Sequence, residues 1–465
     1  MRSSVSRFLS VAILCACHTL ATAGPLADHP GRWLGDLAQE DGTTLRLGAE
    51  LFRRADGSPW ASVASPDQGV IDIPVAAIEE SGATVKLKLS FAELWLTWSG
   101  ARVEGVWKQG DAPRTFALRQ VADFPVQERA QTPRAPFPYR DETLAIRTAG
   151  GITLGATLSM PAGVARPDLV VLVGGSGPGT RDATLLGHRS FAVLADHLAR
   201  QGVAVLRYDK RGVGRSSGDY EGHVGADLID DLDGVVRAMK ARRDLGRLGL
   251  IGHSEGAYIA AASAARRPRL VDFVVSMAGV GVQGLDLMLL QDRVWAESHG
   301  ASPAEAQQAM DYVRRYYDAV LAHAEPAPRL AALKALYAGL SQQDQALIRR
   351  LDMQQGTLSL AWAEQPFLRA SLQDDPRSAW RAVQCPVLVL GASLDHQVPA
   401  GPNVQGIAAA LRTGGNRRVE QAILPGLNHL FQTAPTGHEE EYGGIEETLA
   451  PAAMERIAAF VLERP

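Results

Sequence analysis

The sequence predicts an α/β fold, a mostly parallel eight-stranded sheet with a helical cap insertion, preceded by a small antiparallel β domain. Three observations predict it. From Thr143 onward, short apolar strand candidates alternate with helix-forming runs. Between Gly31 and about Val121, apolar and polar residues alternate with period two. One connection, Gly279 to Gln384, is too long for a simple crossover, and its Ala-, Gln- and Arg-rich runs have helical composition.

Taken in chain order, residues 1–23 read as a secretory signal peptide. Arg2 and Arg7 precede the apolar run Phe8 to Cys17, and Ala21-Thr22-Ala23 supplies a small-x-small cleavage site. The apolar run is well short of the roughly 20 residues that span a bilayer. Export to the periplasm or beyond is therefore expected, with a mature chain starting near Gly24. A competing reading takes Leu14-Cys15-Ala16-Cys17 as a lipoprotein box with an anchor on Cys17, although Cys15 is atypical there. If cleavage follows Ala23, only Cys385 remains, which excludes an internal disulfide and a zinc site built from cysteines.

Residues 24–130 are expected to form the β domain. Its strands include Thr44-Leu45-Arg46-Leu47, Val85 to Leu89 and Leu94 to Trp98, separated by turns such as Asp56-Gly57, Ser81-Gly82, Ser99-Gly100 and Gln109-Gly110. A barrel-like arrangement is anticipated. Pro133, Pro136 and Pro138 mark residues 131–139 as a semi-rigid linker. The second domain, 140–465, should contain eight strands: Thr143 to Arg147, Thr153 to Ser159, Leu169 to Gly174, Val203 to Tyr208, Leu248 to Gly252, Val271 to Met277, Pro386 to Gly391 and Val419 to Leu424. The cap occupies about 279–384. Lys plus Arg (47) nearly balances Asp plus Glu (51), for a net charge of −4, and no basic block tracks phosphates, so nucleic acid is not an expected partner.

Chemistry concentrates just past strand ends. The fifth strand runs into Gly252-His253-Ser254-Glu255-Gly256 and then a helix former, a G-x-S-x-G turn in strand-turn-helix context that makes Ser254 a candidate nucleophile. Its glycines are expected because neighbouring backbone leaves no room for a Cβ. A hydroxyl needs a base, and the base an orienting carboxylate. In the order serine, acid, histidine, the loop after the seventh strand offers Asp395 and the loop after the eighth offers His429. His253 and His396 adjoin the serine and the acid but are read as lining or surface residues. Gly174-Gly175-Ser176-Gly177-Pro178-Gly179 lacks the spacing of a phosphate loop and suits an oxyanion hole, with the backbone N–H groups of Ser176 and Glu255 as donors. Asp209-Lys210-Arg211-Gly212-Val213-Gly214-Arg215-Ser216 reads as a structural loop in which Asp209 and Arg211 pair with backbone or with each other. The remaining histidines, His188 among them, carry no partner pattern.

Together these motifs resemble the α/β-hydrolase superfamily from Thr143 to the C-terminus. Ser65-Pro66-Asp67-Gln68-Gly69, Leu394 to Pro399, Asn428 to Gln432 and the stretch Glu440 to Thr448 are similar to a subgroup of exported bacterial esterases that places a β domain before the hydrolase domain. The resemblance implies a carboxylesterase acting on short acyl esters, with Ser254, Asp395 and His429 as triad. No metal and no organic cofactor is implied, and the expected partner is a small-molecule ester. Aminopeptidases and acyltransferases share these motifs, and the β domain could instead serve contact with cell-envelope glycan. The cap, which leaves and re-enters the sheet beside Ser254 and Asp395, is expected to overhang the pocket, with the β domain supporting or localising the enzyme.

Overall fold

The period-two runs build one antiparallel sheet of nine strands in the computed structural model, which describes residues 24–463 apart from 40, 55, 90, 111, 126–127, 221–222, 224, 354–357 and 366–367. The leader, with Cys15 and Cys17, lies outside the described residues. A short helix α1 (Pro25–Asp28) precedes β1 (Gly31–Ala38), β2 (Thr44–Arg53), β3 (Pro59–Ser65), β4 (Val70–Pro74) and β5 (Ala77–Ser81). Then follow β6 (Thr84–Lys88), β7 (Glu93–Ser99), β8 (Arg102–Gln109) and β9 (Ala112–Val121). Along β7, Leu94, Leu96 and Trp98 are buried while Glu93, Trp95 and Thr97 face outward, as a pleat with one wet face requires. The inward row packs with Trp33, Leu51, Leu87 and Trp107.

The strand order is β4-β3-β2-β1-β9-β8-β7-β6-β5, so the end strands β4 and β5 remain unpaired with each other. The anticipated barrel is thus an open half-barrel. Pro74, at the end of β4, brings no N–H to a closing ladder.

Beyond residues 131–138, the second sheet contains β10 (Tyr139–Arg147), β11 (Thr153–Pro161), β12 (Leu169–Val173), β15 (Ala204–Tyr208), β16 (Leu248–His253), β17 (Phe273–Met277), β18 (Val387–Ala392) and β19 (Val419–Leu424). A small hairpin, β13 (Thr184–Leu185) and β14 (His188–Arg189), was not foreseen. The sheet order is β10-β11-β15-β12-β16-β17-β18-β19; β10, β11 and β15 pair antiparallel and the rest parallel. This is the α/β-hydrolase arrangement that the resemblance implied. The central strands β12, β15 and β17 are buried at every position, which explains why they are apolar except for Arg207 and Ser276.

Helices α2 (Ser190–Arg200), α3 (Gly225–Lys240) and α4 (Glu255–Arg266) cover the two faces, joined later by α12 (Ala400–Thr413) and α13 (Pro451–Leu462). Between β17 and β18 the cap forms α5 (Gly284–Ser298), α6 (Pro303–Ala322), α7 (Pro326–Ala338), α8 (Gln342–Arg350), α9 (Leu360–Ala363), α10 (Leu368–Gln373) and α11 (Arg377–Ala382). It has its own core around Val313, Tyr316, Tyr317, Leu333 and Leu351. A Ser302–Glu305 capping box starts its longest helix, α6. Among the described residues, no helix is long and apolar enough to cross a membrane.

The two sheets meet along a polar seam. Arg54, in the turn after β2, donates to the carbonyls of Gly212 (2.6 Å) and Gly214 (3.4 Å) in the second domain. Arg129 is 2 % exposed and donates to the carbonyls of Leu186, Gly443 and Ile445. A cavity of about 880 Å³ lies along this seam, lined from both sides by Phe52, Arg54, Trp60, Asp72, Arg181 and Arg189.

Asp72 has no hydrogen-bond partner among the described residues, and burial followed by the nearby Glu50 pushes its carboxyl up to about 6. Its folded value exceeds the unfolded one, so the native state holds the extra proton. Stability is lost as pH rises from about 4 through 6, the reverse of an ordinary ion-paired aspartate. Asp72→Asn should therefore raise stability by about 1–2 kcal/mol at pH 8 and change it little at pH 4. Thermal unfolding of both proteins at the two pH values checks this, and an equal shift at both would refute it.

Candidate active site

The loops that carry the predicted residues all leave the C-terminal ends of parallel strands. Chain order reverses around β12, which has β15 on one side and β16 on the other, and the crevice at such a switch point is where open α/β sheets place their sites. Val173 of β12 lies opposite Gly252 of β16, which puts the glycine loop beside Ser254. Ala392 of β18 lies opposite Leu424 of β19, which puts the Asp395 loop beside the His429 loop.

Ser254 sits between β16 and α4 with φ 56° and ψ −124°, a strained conformation for a residue with a side chain. Its amide donates to the carbonyl of Met277 at 2.9 Å, tying the turn to the next strand. A Cβ on Gly252 would stand 2.2 Å from the Gly256 carbonyl oxygen, and one on Gly256 would stand 2.2 Å from that of Val173. Backbone atoms cannot swing aside, so both glycines are required sterically.

Asp395 and His429 are brought together. His429 Nδ1 lies 2.9 Å from Asp395 Oδ2, with His429 4 % exposed and Asp395 equally buried. The other carboxylate oxygen of Asp395 accepts from the amides of Gln397 (2.9 Å) and Val398 (2.7 Å), which locks its plane. Asn428 steadies the histidine loop: its Oδ1 accepts from the amides of Leu430 and Gln432, each at 3.0 Å.

His253 is not paired with the acid. Its Nε2 donates to the carbonyl of His429 at 2.9 Å, the two rings lie 4.8 Å apart, and burial together with His429 pulls its pKa down to about 4. It is a neutral spacer that ties the serine turn to the histidine loop. His396 packs edge-on against His438, with ring centroids 4.9 Å apart. His188 stands alone in the sequence, yet it is fully buried, its Nε2 donating to the Tyr442 carbonyl and its Nδ1 accepting from Thr448 Oγ1 (2.9 Å each), with the Gln432 side chain packed beside the ring. It braces the histidine loop from below.

The glycine loop lies against the serine: a Cβ on Gly175 would stand 3.2 Å from both the Ser254 Cβ and the His253 carbonyl oxygen. The loop after β15 holds it. Asp209 and Arg211 both pair with backbone, one of the two arrangements expected, and not with each other, because each faces a different partner. Asp209 takes a bidentate contact from Arg181 (3.0 and 2.7 Å) and accepts from the Arg181 amide at 2.8 Å. Arg211 turns to Asp231 at 2.7 Å on α3. Lys210, between them, was not singled out in the sequence. It is 5 % exposed, donates to the Gly175 carbonyl and lies 3.4 Å from Glu255 Oε2. Burial lowers its pKa, and Glu255 opposes the shift. Only its position two residues past a strand end signalled a place near the site.

The chain from residue 188 to residue 434 matches the profile of the family described as "Serine aminopeptidase, S33". The chain belongs to this family. The S33 match spans β14 through the histidine loop and includes Ser254, Asp395 and His429. A curated relative, Esterase EstD of Thermotoga maritima, is 34% identical over 106 residues, 23% of this chain. The matched stretch spans about a quarter (26%) of that relative's length. Among solved structures, the ferulic acid complex of Est1E from Butyrivibrio proteoclasticus is similar at 16% identity, over 69% of this chain and 99% of that one, with a TM-score of 0.41. The Pyrococcus furiosus esterase PF2001 gives 15% identity, 74% and 98% coverage and a TM-score of 0.42. A proline iminopeptidase of Mycobacterium smegmatis gives 17%, 70%, 98% and 0.41.

Both appended elements of this S33 chain reach the site's surroundings, which amends the expectation that the cap alone would do so. Gln291 of α5 donates to the Gln397 carbonyl at 2.6 Å, beside Asp395. From the other side, Trp60 and Ile78 of the β domain share a cavity of about 270 Å³ with Pro178, Thr180 and Tyr220, and Pro178 is two residues past Ser176. The long reach of Arg54 across the seam brings the half-barrel there.

Proposed function

We propose that the chain is a serine carboxylesterase. The observation that carries this reading is the Asp395–His429 pair, buried and aligned at 2.9 Å, beside a serine held in a strained strand-to-helix turn. Ser254 Oγ attacks the ester carbonyl, and His429 Nε2 takes its proton. Asp395 keeps the other proton on Nδ1 and so fixes the imidazole tautomer. The amides of Ser176 and Glu255 receive the developing oxyanion. The Ser176 amide has no acceptor among the described residues, and Glu255 opens α4, where first-turn amides lack helical partners. The alcohol leaves with the proton from His429. Water then attacks the acyl-enzyme with His429 again as base.

The family description favours a second reading, an aminopeptidase on the same triad. Such an enzyme must hold an ammonium group next to the scissile bond with a carboxylate. The carboxylates of Asp395 and of Glu255, next to the serine, are already engaged, Asp395 by His429 and two amides, Glu255 by Lys210. That supports ester over aminoacyl substrates, and the named esterase relative agrees with it. A panel of p-nitrophenyl esters of increasing acyl length, run beside aminoacyl anilides, tests the reading. Turnover of short esters with little anilide hydrolysis is expected, and the opposite ranking would replace the esterase by a peptidase.

A further inference from the structure

We propose that Lys210 is a positioning residue for the oxyanion hole, acting through the single peptide that joins Gly175 to Ser176. The Lys210 ammonium donates to the carbonyl of Gly175. That carbonyl and the Ser176 N–H are the two ends of one planar unit, so holding the oxygen sets the direction in which the N–H points. A cation on the carbonyl oxygen also polarises the amide and strengthens its N–H as a donor.

The same ammonium lies 3.4 Å from the carboxylate of Glu255, whose backbone supplies the second donor. One buried cation therefore touches the peptide that carries one donor and the side chain of the residue that carries the other. The rest of its loop grips the same strand of chain. The Lys210 amide donates to the Gly179 carbonyl at 3.2 Å, and Asp209 clamps Arg181 two residues further on. The face of Tyr220 lies 5.6 Å from the ammonium and closes its remaining side.

Burying a lysine is costly, and Lys210 transfers no proton in the mechanism above. Its cost is offset by one carboxylate, one carbonyl and one ring, a set that converges on the oxyanion donors. Gly175 itself leaves little room for a side chain, because a Cβ there would stand 3.2 Å from both the Ser254 Cβ and the His253 carbonyl oxygen.

The inference rests on the serine-esterase reading, and the test separates the two. Wild-type protein should label at Ser254 with a fluorophosphonate; absence of labelling would overturn the reading itself. Given labelling, Lys210→Met should lower kcat by about 10² to 10³, with KM changed less than about threefold. Affinity for a boronic acid, whose tetrahedral adduct carries the oxyanion-like oxygen, should fall by the same factor. Lys210→Gln, which keeps a donor without the charge, should fall between wild type and Lys210→Met. Wild-type kcat and boronate affinity in Lys210→Met would overturn the role of Lys210 alone. So would a kcat loss with boronate affinity intact, since a merely structural lysine would not act selectively on the tetrahedral oxygen. If Lys210→Met does not fold, Lys210→Met/Glu255→Gln removes the charge pair together and carries the same comparison.

Discussion

Replacing Ser254 by alanine is expected to lower kcat by about 10⁴ to 10⁶ while substrate binding survives. The hydroxyl is the only atom group lost, and the turn that presents it is held by other atoms: the Ser254 amide on Met277 and the close packing of Gly252 and Gly256. Alanine keeps the Cβ and therefore the same positive-φ strain, so the fold should not relax. The residual rate would come from the donors and from binding alone. Steady-state kinetics on a p-nitrophenyl ester, with unfolding temperature as control, checks this. A folded variant that retains a hundredth of wild-type kcat would remove Ser254 from the nucleophile role.

Asp395→Asn should cost roughly 10⁴ in kcat with little loss of stability. The reason lies in which groups face the two carboxylate oxygens. One side receives two N–H groups, from Gln397 and Val398, so an asparagine must turn its oxygen there. Its NH₂ is then directed at His429 Nδ1. That nitrogen must become an acceptor, the imidazole proton moves to Nε2, and the ring can no longer accept from Ser254. An Asp395→Asn protein within tenfold of wild type would show that the tautomer is set by something else.

The residues of the proposed site were legible because the signals are local. The turn around Ser254 shows in sequence since its steric demands act across five residues, from Gly252 to Gly256, and Asp395 and His429 each follow closely on a short strand. The half-barrel strands show for a similar reason, the period-two pattern of a sheet with one wet face. The closure of that sheet did not show, because pairing of β4 with β5 depends on the register and curvature of seven strands between them in the sheet. His188 looked like any isolated histidine. Its partners, Gln432, Tyr442 and Thr448, lie some 250 residues away in the chain, and no spacing rule connects them.

Chain-local chemistry thus decided which residues bend, which strands form and which side chains stand at strand ends, since sterics and hydrophobic periodicity act between near neighbours. The contacts of long charged side chains were decided only by the assembled fold. Lys210 meets Gly175 across 35 residues, Asp209 meets Arg181 rather than Arg211, and Arg54 crosses 158 residues to Gly212. A flexible ammonium or guanidinium accepts whichever partner the packed loops bring within about 3 Å. Those partners exist as neighbours only after β12, β15 and β16 align and the half-barrel docks beside them.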